Sequence, residues 1–178
     1  MTPPTRGWRL AREAALSLSL KHEFLRGLAN PRQMLPYTYS LSPLTPFASR
    51  DVEFASGPPC GSFAPNARLA DGGFLLDRAG DGMTALLFGE GSPNPEQTAL
   101  LDQLSRLDKR FVALIIERNG ATANALKDAD GEIARLYGAE PGTLYLLRPD
   151  LHIAGRWKSI AADEILHTAR LCLGVPTP

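Results

Sequence analysis

Thiols are scarce in this sequence. Cys60 and Cys172 are its only cysteines, and they lie far apart, so neither a disulfide framework nor a cysteine-rich zinc site is available. Charge of one sign is missing too. Nineteen Lys and Arg balance nineteen Asp and Glu at a pI near 6.8, so no long-range field selects a nucleic acid or an anionic membrane. Long apolar runs are also lacking. The stretch 11–20 is interrupted by Arg12, Glu13, Ser17 and Ser19; it is too short to span a bilayer and too polar for a secretory leader. The three histidines, His22, His152 and His167, stand at no metal-ligand spacing. These absences predict a cytoplasmic chain with no nucleic-acid, membrane or metal partner.

What is present is enough apolar material for a core, 44% of 178 residues, divided into three unlike segments. Residues 1–35 read as helical, with Leu10, Ala14, Leu18, Phe24, Leu25 and Leu28 recurring at helical spacing until Asn30 and Pro31 stop the run. Residues 36–66 read as a linker. The stretch 31–66 holds seven of the fifteen prolines and shows little periodicity, which predicts a path extended across a surface or between two units. From 67 to 178 strand and helix signals alternate, the pattern of helices packed on a central sheet.

Within that last segment, 83–88 (MTALLF) and 111–116 (FVALII) are short apolar runs suited to buried strands. Between them Asn94 is placed to cap a helix with Pro95 at its first position, and Leu100, Leu101, Leu104 and Leu107 form its buried stripe. A weaker helical stretch, 121–137, breaks near Gly131. Residues 143–147 and 152–157 flank Arg148, Pro149, Asp150 and Leu151, a composition that predicts an antiparallel hairpin. A closing helix follows, with Ser159 as the expected cap, Ile165, Leu166, Ala169 and Cys172 on one face, and Gly174 at its end. The order β-α-β-α-β-β-α defines an α/β fold of the thioredoxin-like type, a mixed central sheet flanked by helices.

Disulfide exchange on such a fold needs a thiolate at the start of the helix after the first core strand, where the helix dipole lowers its pKa. That turn, residues 89–95, reads Gly-Glu-Gly-Ser-Pro-Asn-Pro and holds no cysteine, so the dithiol mechanism is excluded. Cys60, in a Gly-Pro-Pro-Cys-Gly run expected to be exposed, is the remaining candidate for a single-cysteine redox protein. Cys172 reads as a small core residue. Gly89, Gly91 and Asn94 form a candidate ligand or nucleotide loop, but Asn94 occupies the third glycine position and Pro93 and Pro95 remove two N–H donors. Arg156 beside Trp157 has two readings: a guanidinium stacked on a ring or paired with a carboxylate, or an ordinary strand end.

The run Leu144-Tyr145-Leu146-Leu147-Arg148-Pro149-Asp150, then His152-Ile153-Ala154 and Arg156-Trp157, resembles the tail of the phenol hydroxylase and 3-(3-hydroxyphenyl)propionate hydroxylase type of FAD-dependent aromatic monooxygenases. Gly57-Pro58-Pro59 and Ala64-Pro65-Asn66-Ala67-Arg68-Leu69 are similar to the start of that family's thioredoxin-like domain. Arg12-Glu13-Ala14-Ala15-Leu16-Ser17-Leu18, Asn30-Pro31-Arg32-Gln33, Tyr39 and Ser42-Pro43-Leu44 resemble the end of its flavin domain. The resemblance implies a parent enzyme that uses FAD, NAD(P)H and oxygen to hydroxylate a phenolic ring. These residues lack the family's glycine-rich flavin fingerprint, so it implies no catalytic or cofactor-binding residue here and no cofactor bound by this chain alone. The implied role is a non-catalytic association module. Its partner is expected to be a flavin domain or a second copy in a dimer, with Leu18, Phe24, Leu25 and Leu28 as candidate interface residues.

Overall fold

The computed structural model describes residues 5–21, 36–119 and 125–176. The chain divides into two compact units, Met1–Pro36 and Tyr37–Pro178. In the first, helix α1 (Arg6–Lys21) begins where Thr5 accepts a hydrogen bond from the Trp8 N–H at 3.4 Å. Leu18 is exposed on it. Phe24, Leu25 and Leu28, and any continuation of the helix beyond Lys21, lie outside the described residues.

The second unit is built on a five-stranded sheet in the order β3-β2-β1-β4-β5. Its elements are β1 (Thr84–Gly89), α2 (Pro95–Leu107), β2 (Val112–Glu117), β3 (Leu126–Lys127), α3 (Glu132–Tyr137), β4 (Leu144–Leu147), β5 (Ile153–Trp157) and α4 (Ala162–Leu173). β1 runs parallel to β2 and antiparallel to β4, so the sheet is mixed. Both core strands start within one residue of where the apolar runs place them. The Asn94 cap is present as a full capping box: its side chain accepts from the Gln97 N–H, and the Gln97 side chain accepts from the Asn94 N–H, both at 2.9 Å.

Alternation along the strands divides the core into two layers. Leu86, Phe88, Ile116, Tyr145 and Leu147 face one side; Leu87, Leu144 and Leu146 face the other, where Leu100, Leu104, Ile165 and Leu166 of α2 and α4 cover them. The first side is covered differently. There Phe54, Cys60, Ala64, Ala67, Leu69 and Leu75 pack with Ile133 and Tyr137 of α3. Much of that cover comes from the proline-rich stretch, which from Tyr37 onward belongs to the same compact unit as the sheet.

Two expectations need correction. The helix expected over 121–137 is instead strand β3, a turn and the six-residue α3, with 120–124 outside the described residues. The alanines favour a helix, but Asp128 turns its carboxylate onto the N–H groups of Ile133 and Ala134, at 3.0 and 2.8 Å, and Leu126 pairs with Ile116. The break at Gly131 is real; it stands at φ 65 as the residue before α3. The last helix is capped at Ala161, not Ser159, and alanine offers no side-chain acceptor for the first-turn N–H groups.

Candidate functional site

A bulge between β4 and β5 at Leu146/Leu147 shifts the register after Ile153. Without it, alternation from Ile153 would aim Arg156 at the helical side; with it, Arg156 reaches the proline-rich side and Trp157 the helical side. Arg156 is 4% exposed. Its Nε donates to Asp51 Oδ1 at 2.5 Å, its Nη1 donates to the Ser56 carbonyl at 3.1 Å, and its guanidinium lies 4.2 Å from the centre of the Phe54 ring. The guanidinium is therefore both stacked on a ring and paired with a carboxylate. Burial alone would lower its pKa, but Tyr145 and Asp51 raise it on balance, so it stays charged. Tyr145 Oη donates to the Tyr137 carbonyl, and Tyr137 Oη donates to the Pro65 carbonyl at 2.7 Å.

On the other side of β5, Trp157 Nε1 donates to Glu164 Oε2 at 2.9 Å, and Arg50 grips both oxygens of Glu164 at 2.5 and 2.7 Å. Adjacent residues Arg50 and Asp51, in a 3-10 turn over Ala48–Glu53, thus hold the edge strand through partners on both faces. Backbone bonds complete the attachment: Gly61 N–H to the Ile153 carbonyl at 2.8 Å, and Ile153 N–H to the Ser62 carbonyl at 2.9 Å. The proline-rich strap covers the edge that β5 would otherwise present to another chain. This constellation clamps the strap to β5, and its charged groups are taken up by one another.

Cys60 sits inside the clamp, not on the surface as its glycine–proline surroundings suggested. It is 2% exposed, its N–H donates to the Asp51 carboxylate at 3.1 Å, and burial, followed by the Asp51 charge, pushes its thiol up to about 12. A thiol so shifted is protonated at neutral pH and a poor nucleophile. Cys172 is half-buried, and burial raises it to about 11. Among the described residues no group of His, Cys, Asp and Glu is placed to hold a metal ion.

A cleft of about 300 Å³ opens at the carboxyl ends of β1 and β2, the end at which open α/β sheets bind ligands. Phe88 and Ile116 lie at its base, 3% and 2% exposed, and Gly89, Glu90, Arg118 and Glu140 stand around it. Of the predicted loop residues, only Gly89 lines it. A Cβ added at Gly91 would meet nothing within 4 Å, and the Asn94 side chain is committed to the capping box. Arg118 was missed because it belongs to no motif; its one signal is its position just past a buried strand end. At the start of α2, Pro95 has no N–H and the Asn94 side chain takes the Gln97 N–H, so two of the first-turn donors that could meet a phosphate are not available there.

Similar solved structures place the fold. The flavin-dependent monooxygenase PieE, in complex with FAD and substrate, aligns over 97% of this chain and 31% of its own, with TM-score 0.60 and 21% identity. The substrate-free form of the rebeccamycin biosynthetic enzyme RebC aligns over 94% of this chain and 30% of its own, with TM-score 0.55 and 21% identity. A putative thiol:disulfide interchange protein DsbE from Chlorobium tepidum covers 67% of this chain and all of its own, with TM-score 0.50 and 20% identity. The fold is thioredoxin-like. This chain spans about a third of the length of the monooxygenases it resembles. No family model and no curated protein matches it. Among the described residues no helix is long and apolar enough to cross a membrane.

Proposed function

We propose that these residues form the C-terminal thioredoxin-like region of an FAD-dependent aromatic-ring hydroxylase, of the phenol hydroxylase and 3-(3-hydroxyphenyl)propionate hydroxylase type, and act as a non-catalytic structural and association module. The observation that carries this reading is the extent of the likenesses. The flavin-dependent monooxygenase alignment reaches 97% of the chain, including its N-terminal part, whereas that with the thiol:disulfide interchange protein reaches 67%. The chemistry of the site supports it. The turn before α2 has no thiol, Cys60 is locked in the clamp, and the polar groups around Arg156 are satisfied by one another.

On this reading FAD, NAD(P)H and oxygen are handled by a flavin domain outside these residues. What residues 37–178 supply is a sheet with one edge closed by the strap. The exposed apolar side chains of α1, Trp8, Leu10, Leu16 and Leu18, are the surface that a flavin domain or a second copy would cover. The test is an absorbance spectrum of the purified chain before and after adding FAD, with its mass measured by light scattering. A colourless chain that ignores FAD and has the mass of a dimer is the expected result. A flavin band that stays with the protein after unbound FAD is removed would overturn the module reading, and a monomer mass would confine the partner to a flavin domain.

A further inference from the structure

We propose that the cleft at the carboxyl ends of β1 and β2 binds a small amphipathic carboxylate, its apolar body on Phe88 and Ile116 and its carboxylate on Arg118. The inference does not rest on the hydroxylase reading and would hold for any thioredoxin-like domain with this cleft.

The charges around the cleft are accounted for one by one. Both Asp128 oxygens already accept N–H groups of α3. Glu140 faces Lys158 at 3.7 Å. Glu90 is an exposed carboxylate at the rim. Arg118 has no carboxylate within ion-pair distance among the described residues. Its guanidinium lies against the backbone of Gly131, where an added Cβ would stand 3.3 Å from Nη2, so the missing side chain gives the charged group its place beside the cleft. A planar guanidinium pairs with a carboxylate through two parallel hydrogen bonds. Next to the apolar side chains of Phe88 and Ile116 such a pair is screened less than in open water. The cleft, about 300 Å³, is at the lower end of the size of small-molecule sites, which favours a ligand of one ring or a short chain over a nucleotide.

The test uses the whole chain, labelled with nitrogen-15 and titrated with benzoate, and with benzyl alcohol and benzylamine as neutral and cationic probes of the same size. Benzoate is expected to move the amide signals of Gly89, Glu90, Arg118 and Gly131 saturably, with a Kd in the millimolar range set by so small a ligand. Benzyl alcohol is expected to bind about tenfold more weakly, and Arg118→Gln to weaken benzoate by about the same factor, the loss of one charge-assisted contact. Glu90→Gln is expected to tighten benzoate binding about two-fold by removing a like charge at the rim. Both residues are exposed, and a spectrum unchanged away from the cleft verifies that each variant folds. The proposal is overturned if benzoate gives no saturable shift, if the shifts lie elsewhere, if benzylamine binds as well, or if folded Arg118→Gln binds benzoate unchanged.

Discussion

The two faces of the sheet are covered by unlike material. On one, α2 and α4 lay down stripes of Leu100, Leu104, Ile165 and Leu166. On the other, the strap of residues 37–66 supplies Phe54, Cys60 and Ala64 from a chain with almost no regular structure. A helix satisfies its own backbone and needs only an apolar stripe to dock. An irregular strap must find partners for its polar groups one at a time. The helical face is therefore held by apolar area spread over many residues, and the strap face by a few buried polar anchors.

Breaking the strongest anchor is the sharpest test of that contrast. Arg156→Ala removes the buried side of a half-buried pair and leaves Asp51 without its cation; the expected loss is about 2–4 kcal/mol, less than for a fully buried pair, read by denaturant unfolding. A loss below about 1 kcal/mol would place the strap's stability in its apolar contacts. Next in size is Gly138→Ala. Gly138 stands at φ 58 where α3 ends, and an added Cβ would approach the Ser56 carbonyl oxygen to 2.5 Å. The combined backbone strain and collision with the strap predict a loss of about 1–3 kcal/mol, with strap amides exchanging faster than those of α2.

On the helical face, Asn94→Ala removes half of the capping box and should cost about 1 kcal/mol, a local effect that leaves the strap amides unmoved. Glu164→Gln is expected to be similar or smaller at neutral pH, about 1 kcal/mol for a partly exposed pair, but it has a pH signature. The hydrogen bond from Arg50 lowers the Glu164 pKa on balance, burial opposing it. The carboxylate's contribution is thus present above the ordinary carboxylate range and is lost as pH falls through the depressed folded value. Stability curves of wild type and variant should converge on acidification; a gap that stays constant would mean that the Glu164 charge contributes nothing.

The parts of the fold that could be read in advance are those decided by near neighbours. The capping box at Asn94 lies within four residues, the hairpin turn at Arg148-Pro149-Asp150 within three, and the stripe of α2 within four turns of helix. β3 could not be read that way. Leu126 is a strand residue because Ile116 lies beside it, and alanines at 121, 123 and 125 carry no mark of that pairing. At the candidate site the pattern repeats. Gly89 was visible as the residue after a buried strand, but Arg118 joins it only because β1 and β2 end side by side. Cys60 was misplaced for the same reason, since Gly57-Pro58-Pro59 describes a bend and not what the bend packs against.

By itself the sequence determined the alternation of strand and helix, the thioredoxin-like order and the lack of a thiol before α2, since periodicity, caps and composition act over a few residues. Tertiary structure alone decided that the proline-rich stretch is a layer of the core, that one bulge hands Arg156 to the strap and Trp157 to the helices, and that Arg118 stands over an apolar cleft. Each of these depends on which distant backbone a residue is set against, and local preference carries no information about that.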